Sequence, residues 1–450
     1  MAGGTSGTSS DGGTGGGSES TTGEAGSASA TSGLGGSQSQ ADGGAAGAWE
    51  QEDPPTPLTI KLLPGVRDPE RIPAPADLLV SDSDGNYVTH LSADAEGQAT
   101  IDDFPKGGSV TTLVRYSGGE SYLTTYVGLS SRKELLLPGY LPSPPRVSGE
   151  MMTVTVNATA DVGDTLKIGV GAERSSKVGP SATFTAEIDC GSYPSYDVRV
   201  ASMSGSELVR WNELLDQPCT PNAEVTQELE ASRTSYSEFV IHVRPIPLGS
   251  YRLDGRVFLY RHNPTWDEKR IISPPAVEET IVLRVPAGDA EWKSLSGIFS
   301  AAEGYPVDGG RFQRQGPAVP NTLTWNPDRG LARFADPGSV DTTDLLRPEV
   351  AFTLKDDAPL GDVITTHLAF SGSTFVRWTG WLPAKRSGIV RVPEIPAELR
   401  AVYLPGVESV FGPYLSHYDY ILVEDYPELI DRMTEAGVTD NYDMTDAGLR

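Results

Sequence analysis

Turn-forming residues interrupt this chain too often for long helices to form. There are 50 glycines and 35 prolines among 450 residues. From residue 54 onward the stretches between them are short and rich in β-branched and aromatic residues. Apolar and polar side chains alternate along them, as in residues 152–159 (MTVTVNAT) and 165–170 (TLKIGV). Breaks of this kind every 8–12 residues or so are the signature of β-sandwiches, in which every second side chain faces the core. The expected fold class is all-β, with several sandwich domains in tandem. A chain of 450 residues exceeds one core, and roughly three domains are expected.

The first 50 residues are different. They hold 16 glycines, with Ser, Thr and Ala making up most of the rest, and Leu34 and Trp49 are the only large apolar residues after Met1. Such a stretch cannot bury enough surface to offset the entropy of ordering it, so residues 1–53 are expected to be a disordered tether. The net charge of −26 argues against nucleic acid or an anionic membrane surface as partner, because both demand clustered Lys and Arg. No run of about 18 apolar residues is present, so no transmembrane segment is expected. A secretion signal needs a basic start and an apolar run, whereas the first basic residue is Lys61. The expectation is a mature form from which any export signal has been removed.

Proline clusters suggest the domain edges. Pro54, Pro55 and Pro57 end the tether, and Pro142, Pro144 and Pro145 mark a second junction. The expected division is 1–53, 54–146, 147–288 and 289–450. Within the third stretch, residues 206–215 (SELVRWNELL) read as a short helix before Pro218. In the last stretch, Asp425 is positioned to cap a helix over 428–436, with Pro427 near its first turn and Gly437 as its stop.

Turn chemistry in residues 82–108 carries a resemblance. An Asp84-Gly85 hairpin is followed by residues 92–101 (SADAEGQATI) and then by Pro105-Lys106-Gly107-Gly108. This order resembles the carboxypeptidase-regulatory-like, or transthyretin-like, domain, although Ser92 stands where that family usually has Thr. The resemblance covers about 60 residues and implies a sandwich of transthyretin-like or immunoglobulin-like type. It implies a structural or adhesive accessory module, with no catalytic residues to carry over. Separately, residues 1–20 (MAGGTSGTSSDGGTGGGSES) resemble the spacer behind the lipid-modified cysteine of bacterial outer-surface lipoproteins. That implies a location outside the cell, at the surface or in the periplasm of a bacterium, and a lipid anchor in the natural precursor.

The two cysteines, Cys190 and Cys219, lie 29 positions apart in one expected domain. With no third cysteine, a single disulfide is expected in an oxidising compartment; two buried free thiols in a cytosolic protein are the alternative. Neither cysteine has a CxxC partner, so no metal is expected. The histidines, His90, His242, His262, His367 and His417, form no HxH, HxxxH or HExxH motif. Asp82, Asp84 and Asn86 alternate as in a calcium loop, but Tyr87 and Ala93 occupy the positions that need Gly and a bidentate Glu. Asn157-Ala158-Thr159 matches a glycosylation sequon but lies inside a strand. The acidic groups Asp102-Asp103, Asp356-Asp357 with Asp362, and Glu424-Asp425 read as solvated turns. No catalytic motif and no cofactor are expected.

Aromatic residues beside loops are the remaining binding candidates. Trp266 follows Asn263-Pro264-Thr265, and Trp325 precedes Asn326-Pro327. A tryptophan at such a place can offer a flat face to a sugar ring or a protein anchor, or can sit at the rim of a core. Trp378 and Trp381 read as plugs of an interdomain core. The sequence therefore points to a non-enzymatic secreted or surface-anchored protein with a structural, adhesive or ligand-binding role. The partner would be an extracellular protein or glycan. A carbohydrate-binding or carbohydrate-active protein that uses Trp266 or Trp325 is the alternative.

Overall fold

The turns of residues 82–108 produce short antiparallel strands. β1 (Thr56–Leu63) is followed by β2 (Asp77–Ser81), β3 (Tyr87–Ser92), β4 (Gln98–Phe104), β5 (Ser109–Arg115), β6 (Ser121–Tyr126) and β7 (Glu134–Pro138). Two turns require glycine. Gly85 and Gly97 have φ of +76° and +77°, and a Cβ on Gly97 would lie 2.9 Å from the Leu62 carbonyl oxygen. Asp94 braces the second turn, its Oδ1 accepting from the Glu96 and Gln98 amides at 3.0 and 2.7 Å. The strands divide into two layers, β4-β1-β7 and β6-β5-β2-β3.

These elements come from a computed structural model, which describes residues 56–63, 76–115, 119–129, 133–139, 150–171, 173–191, 194–246, 250–260, 264–287, 292–300, 309–327, 334–335, 339–355, 359–435 and 438–448. The expected tether lies outside the described residues. The described residues belong to one compact unit spanning Pro54–Arg450.

The next seven strands are β8 (Met151–Ala160), β9 (Thr165–Val170), β10 (Glu173–Val178), β11 (Ser181–Asp189), β12 (Ser195–Ser204), β13 (Glu207–Pro218) and β14 (Glu224–Ala231). They form a sandwich of β11-β8-β14 and β10-β9-β12-β13. Alternation dictates its core. Met152, Val154, Val156 and Ala158 of β8 meet Leu166, Ile168 and Val170 of β9. Each fully buried large aliphatic side chain contributes about 1.5–3 kcal/mol.

The helix expected over residues 206–215 is instead β13. Leu208 and Trp211, three apart, are both buried, which is helical spacing. A β-bulge produces it: Met203 pairs with Leu208 and Ser202 with Arg210, so Val209 is the extra residue. One inserted residue resets the period of two.

The chain continues through β15 (Tyr236–Val243), β16 (Arg252–Tyr260), β17 (Pro264–Ile272), β18 (Glu279–Pro286), β19 (Trp292–Ser300), β20 (Gly309–Gly316) and β21 (Thr322–Trp325). It ends with β22 (Ser339–Asp341), β23 (Glu349–Thr353), β24 (Val363–Ser371), β25 (Val376–Pro383), β26 (Ser387–Arg391), α1 (Ala397–Tyr403), β27 (Ser409–Tyr420), α2 (Tyr426–Arg432) and β28 (Tyr442–Gly448). The fold is all-β with two short helices among the described residues. The cap of α2 matches its sequence: Asp425 Oδ1 accepts from the Glu428 amide at 2.9 Å.

One twelve-stranded sheet organises the whole. Its order is β17-β16-β19-β20-β28-β27-β24-β25-β6-β5-β2-β3. The sheet runs across both junctions suggested after the tether, since β6 pairs with β25 in parallel and β16 pairs with β19. Local composition marks a proline-rich crossing; it does not reveal that the strands on either side rejoin far along the chain. The β25-β6-β5-β2 region is buried on both faces. Leu78, Val80, Val110 and Tyr126 face β1, β7 and α2, whereas Leu79, Leu113, Leu123 and Trp378 face β23, β26 and α1. The sheet is there the middle of three layers.

Candidate functional site

Trp325 ends β21, whose alternation turns its side chain inward. Its ring packs edge-on to Phe312 at 5.0 Å and beside Phe299 at 5.8 Å between centroids. At 6 % exposure it offers no stacking face, which corrects the expectation drawn from the adjoining Asn326-Pro327 loop. Trp266, on β17, is likewise only 5 % exposed. It lines a cleft of about 300 Å³ together with Lys167, Arg174, Arg199, Lys269 and Asp267. Residues 261–263, on its N-terminal side, lie outside the described residues.

That cleft is a joint whose charges are matched. Lys167 donates to Glu268 Oε2 at 2.8 Å and stands 5.7 Å from the Trp266 ring centroid. Arg174 lies 3.7 Å from Asp267, and Arg256 grips the same carboxylate with two hydrogen bonds. Arg199 pairs with Glu213 at 3.0 Å, and Lys269 with Asp254 at 3.1 Å. Burial pushes the Glu268 carboxyl up, and Lys167 opposes it. The contacts join β9 and β10 of one sandwich to β17 of the next.

Cys190 and Cys219 form the expected disulfide, with Cα atoms 5.3 Å apart. Cys190 follows β11 and Cys219 follows β13, so the bond ties one sheet of the sandwich to the other.

The other sequence candidates have structural partners. Asp82 Oδ1 accepts from the Asp84 and Asn86 amides at 2.9 and 2.8 Å, and Arg347 donates to Asp84 O and Asn86 Oδ1. Asn157 bonds Glu228 at 2.6 Å and Thr183 at 2.8 Å. His90 meets the Tyr87 hydroxyl at 2.8 Å, and His242 meets Thr280 at 3.2 Å. His417 is buried and accepts from the Gly361 amide at 2.9 Å. His262 and Asp356-Asp357 lie outside the described residues. Asp102 and Asp103 are exposed on β4, and Glu424 with Asp425 opens α2. Among the described residues no three metal-ligating side chains are grouped to hold an ion.

A second cavity was not anticipated. It lies where β6 and β25 pair in parallel, with a volume of about 340 Å³. Register sets its floor. Thr112, Thr124, Thr379, His367 and Tyr414 align in one row across β5, β6, β25, β24 and β27. The neighbouring row pairs Tyr126 with Trp381. Thr112, Tyr122, Thr124, Tyr126, Thr379 and Trp381 line the cavity, with small and aliphatic residues completing it. In a chain where 21 % of residues are charged, no charged side chain lines it among the described residues.

The aromatic wall is braced from behind. Trp381 lies parallel to Tyr420, centroids 6.3 Å apart and planes 14° apart, and Tyr420 stacks in turn on Tyr418 at 5.4 Å. Tyr126 lies 6.2 Å from Trp381 at a tilt of 36°. His367 Nδ1 meets the Thr379 hydroxyl at 3.0 Å, and its Nε2 meets Thr365 at 3.3 Å. Burial, helped by Arg377, pushes His367 down to about 4, so at neutral pH this imidazole is uncharged. Among the described residues, the cavity is thus an aromatic and hydroxyl-bearing site with no charged side chain in its lining. The sequence suggests Trp378 and Trp381 together as core plugs. An odd spacing in a strand places them on opposite faces, and that signal separates them. Trp378 is fully buried, whereas Trp381 is half-buried at the cavity.

No family model matches the chain, and no curated protein matches it. Among solved structures, the TIE protein of Bacillus anthracis is similar at 10 % identity, covering 61 % of this chain and 51 % of that one, with a TM-score of 0.17. The chain therefore spans about half the length of that protein. A Streptococcal ancillary pilin is similar at 10 % identity over 61 % of this chain and 99 % of its own, with a TM-score of 0.14. A leucine-rich repeat protein from Bacteroides thetaiotaomicron is similar at 8 % identity over 40 % of this chain and 26 % of its own, with a TM-score of 0.16. Likenesses this low carry no functional weight, and the fold and the site rest on the geometry above.

Proposed function

We propose that this is a non-enzymatic bacterial protein, secreted or anchored at the cell surface, whose β-sandwiches serve a structural, adhesive or extracellular ligand-binding role. The observation that supports it most is the Cys190–Cys219 disulfide between the two sheets of one sandwich. Such a bond persists where the surroundings are oxidising, and glutathione and thioredoxin keep most cytosolic thiols reduced. The Gly/Ser composition of residues 1–53 agrees with a spacer that holds the folded part away from a surface. The carboxypeptidase-regulatory-like resemblance of residues 82–108 is proposed in the same sense, and the positive φ at Gly85, Gly97 and Gly107 accords with its turns.

The test uses cells that make the protein from its natural precursor. Both cysteines are expected to resist alkylation in denaturant until reductant is added, and added protease is expected to remove the protein from intact cells. Free alkylation of both cysteines without reductant, together with full protection from protease, overturns the proposal.

The carbohydrate reading is favoured by a specific observation, the uncharged aromatic cavity at β6 and β25. It moves there from Trp266 and Trp325, which are buried.

A further inference from the structure

We infer that the cavity at the β6–β25 seam is a binding site for an uncharged glycan, with the half-buried Trp381 and Tyr122 supplying the aromatic wall and Thr124 and Thr379 the polar floor. This deepens the proposed surface role and rests on it only for where the ligand is met.

The chemistry of the lining selects the ligand. A pyranose ring has a C–H face that is apolar and a rim of hydroxyls that both donate and accept. Trp and Tyr offer an apolar ring with a polar edge, and threonine hydroxyls rotate to donate or accept. The cavity combines both on one sheet face. Its volume of about 340 Å³ falls within the range of small-molecule sites, about 300–1,000 Å³.

The absence of charge among the described lining residues argues against acidic sugars and acidic peptides. An acidic ligand would need a cation to offset its desolvation, and His367, the titratable group beside Thr379 in the same row of the sheet, is neutral above about pH 4. Arg377, the nearest cation on β25, is exposed and faces the rings of Tyr122 and Phe375 at 5.7 and 5.4 Å. The charged cleft at Trp266 is the contrast, because its cations are already paired with carboxylates.

The wall is also preorganised. Trp381 is held against Tyr420, and the Tyr426 hydroxyl donates to the Trp381 carbonyl at 3.1 Å. A fixed aromatic face loses little entropy when it binds.

Affinity electrophoresis of the full chain tests this, in gels containing soluble mixed-linkage glucan, galactomannan or xylan, with polygalacturonate in a parallel gel. At least one neutral polymer is expected to retard the protein. Trp381→Ala is expected to raise the dissociation constant about tenfold or more, as for a central aromatic anchor. Thr124→Val, which keeps volume and loses one hydroxyl, is expected to raise it about threefold or more, as for one hydrogen bond. Thermal melting of both variants checks folding. Thr124→Val decides the matter if Trp381→Ala is unfolded. Three outcomes overturn the inference: no retardation by any neutral polymer, retardation unchanged in the folded variants, or retardation by polygalacturonate alone. The proposed location is tested on cells, so either reading can fail while the other stands.

Discussion

The disulfide-pinned sandwich of β8–β14 and the three-layer unit of β1–β7 with β22–β28 are built from the same kind of short strand. They differ in how far apart in sequence their partners lie. In the first, β8 pairs with β11 and β14, aligning Thr153 with Glu187 and Glu224. In the second, β6 pairs with β25, aligning Ser121 with Val376, and the two middle sandwich regions are threaded between them. Loop closure costs grow only slowly with length, so the distant pairing is thermodynamically tolerable once a large core rewards it. It is kinetically demanding, because a sheet rich in non-local contacts forms late. The first region compensates for its smaller core with a covalent staple. The second does so by burying its central strands on both faces.

The largest effect is expected at the centre of the three layers. Trp378 is fully buried, and its Nε1 donates to Thr125 Oγ1 of β6 at 2.9 Å. Trp378→Ala should cost about 3–5 kcal/mol and leave that hydroxyl with Thr111 Oγ1, 2.8 Å away, as its remaining side-chain partner. Because the side chain bridges the two halves, hydrogen exchange should accelerate in β5 and β6 as much as in β24 and β25. Loss of protection in β24 and β25 alone would break the contrast, making the two halves independent domains.

Replacing both Cys190 and Cys219 with Ala should cost about 2–4 kcal/mol. Here exchange should accelerate within residues 151–231, with β5 and β6 unchanged. Equal acceleration in both regions would mean that the sandwich has no stability of its own to lose.

Legibility followed the same divide. Strand alternation in β8 and β9, the Asp94 and Asp84-Gly85 turns, the Asp425 cap and the cysteine pair are all set by residues close in sequence, and each could be read from sequence. The β13 bulge could not, because an inserted residue is visible only against its partner strand. Nor could the twelve-stranded sheet, whose order depends on pairings between residues hundreds of positions apart. The candidate cavity failed for the same reason. Tyr126 and Trp381 are adjacent only once β6 lies beside β25. Trp266 and Trp325 drew attention through their loops, while the strands that hold them turn both rings inward.

A smaller effect is expected where α2 meets the sheet. Asp425→Ala removes the cap bond to the Glu428 amide and should cost about 1 kcal/mol, visible as faster exchange in the first turn of α2. Asp425→Asn should restore most of it, since an Asn side chain also accepts there. If Asn behaves like Ala, charge rather than capping holds that end.

The smallest net effect is expected from pH, because two groups in the three-layer unit oppose each other. Burial pushes Asp362 up to about 6 from an ordinary 3.8, with Asp419, Asp425 and Glu428 adding to the rise against a hydrogen bond from the Tyr420 amide. Between those values the folded chain holds a proton that the unfolded chain has released, so this contribution to stability falls as pH rises from about 4 to 6. His367 is pushed down to about 4 from 6.5, and over that interval the unfolded chain holds the extra proton. Its contribution therefore rises with pH from about 4 to 6.5. Urea midpoints measured at each pH separate the two. Relative to the parent, Asp362→Asn should gain stability as pH rises through the Asp362 window, and His367→Gln should lose it through the His367 window. Parallel curves for parent and Asp362→Asn would mean that this carboxyl is as well hydrated in the folded chain as in the unfolded one. The layer carrying α2 would then be open to water, unlike the closed sandwich of β8–β14.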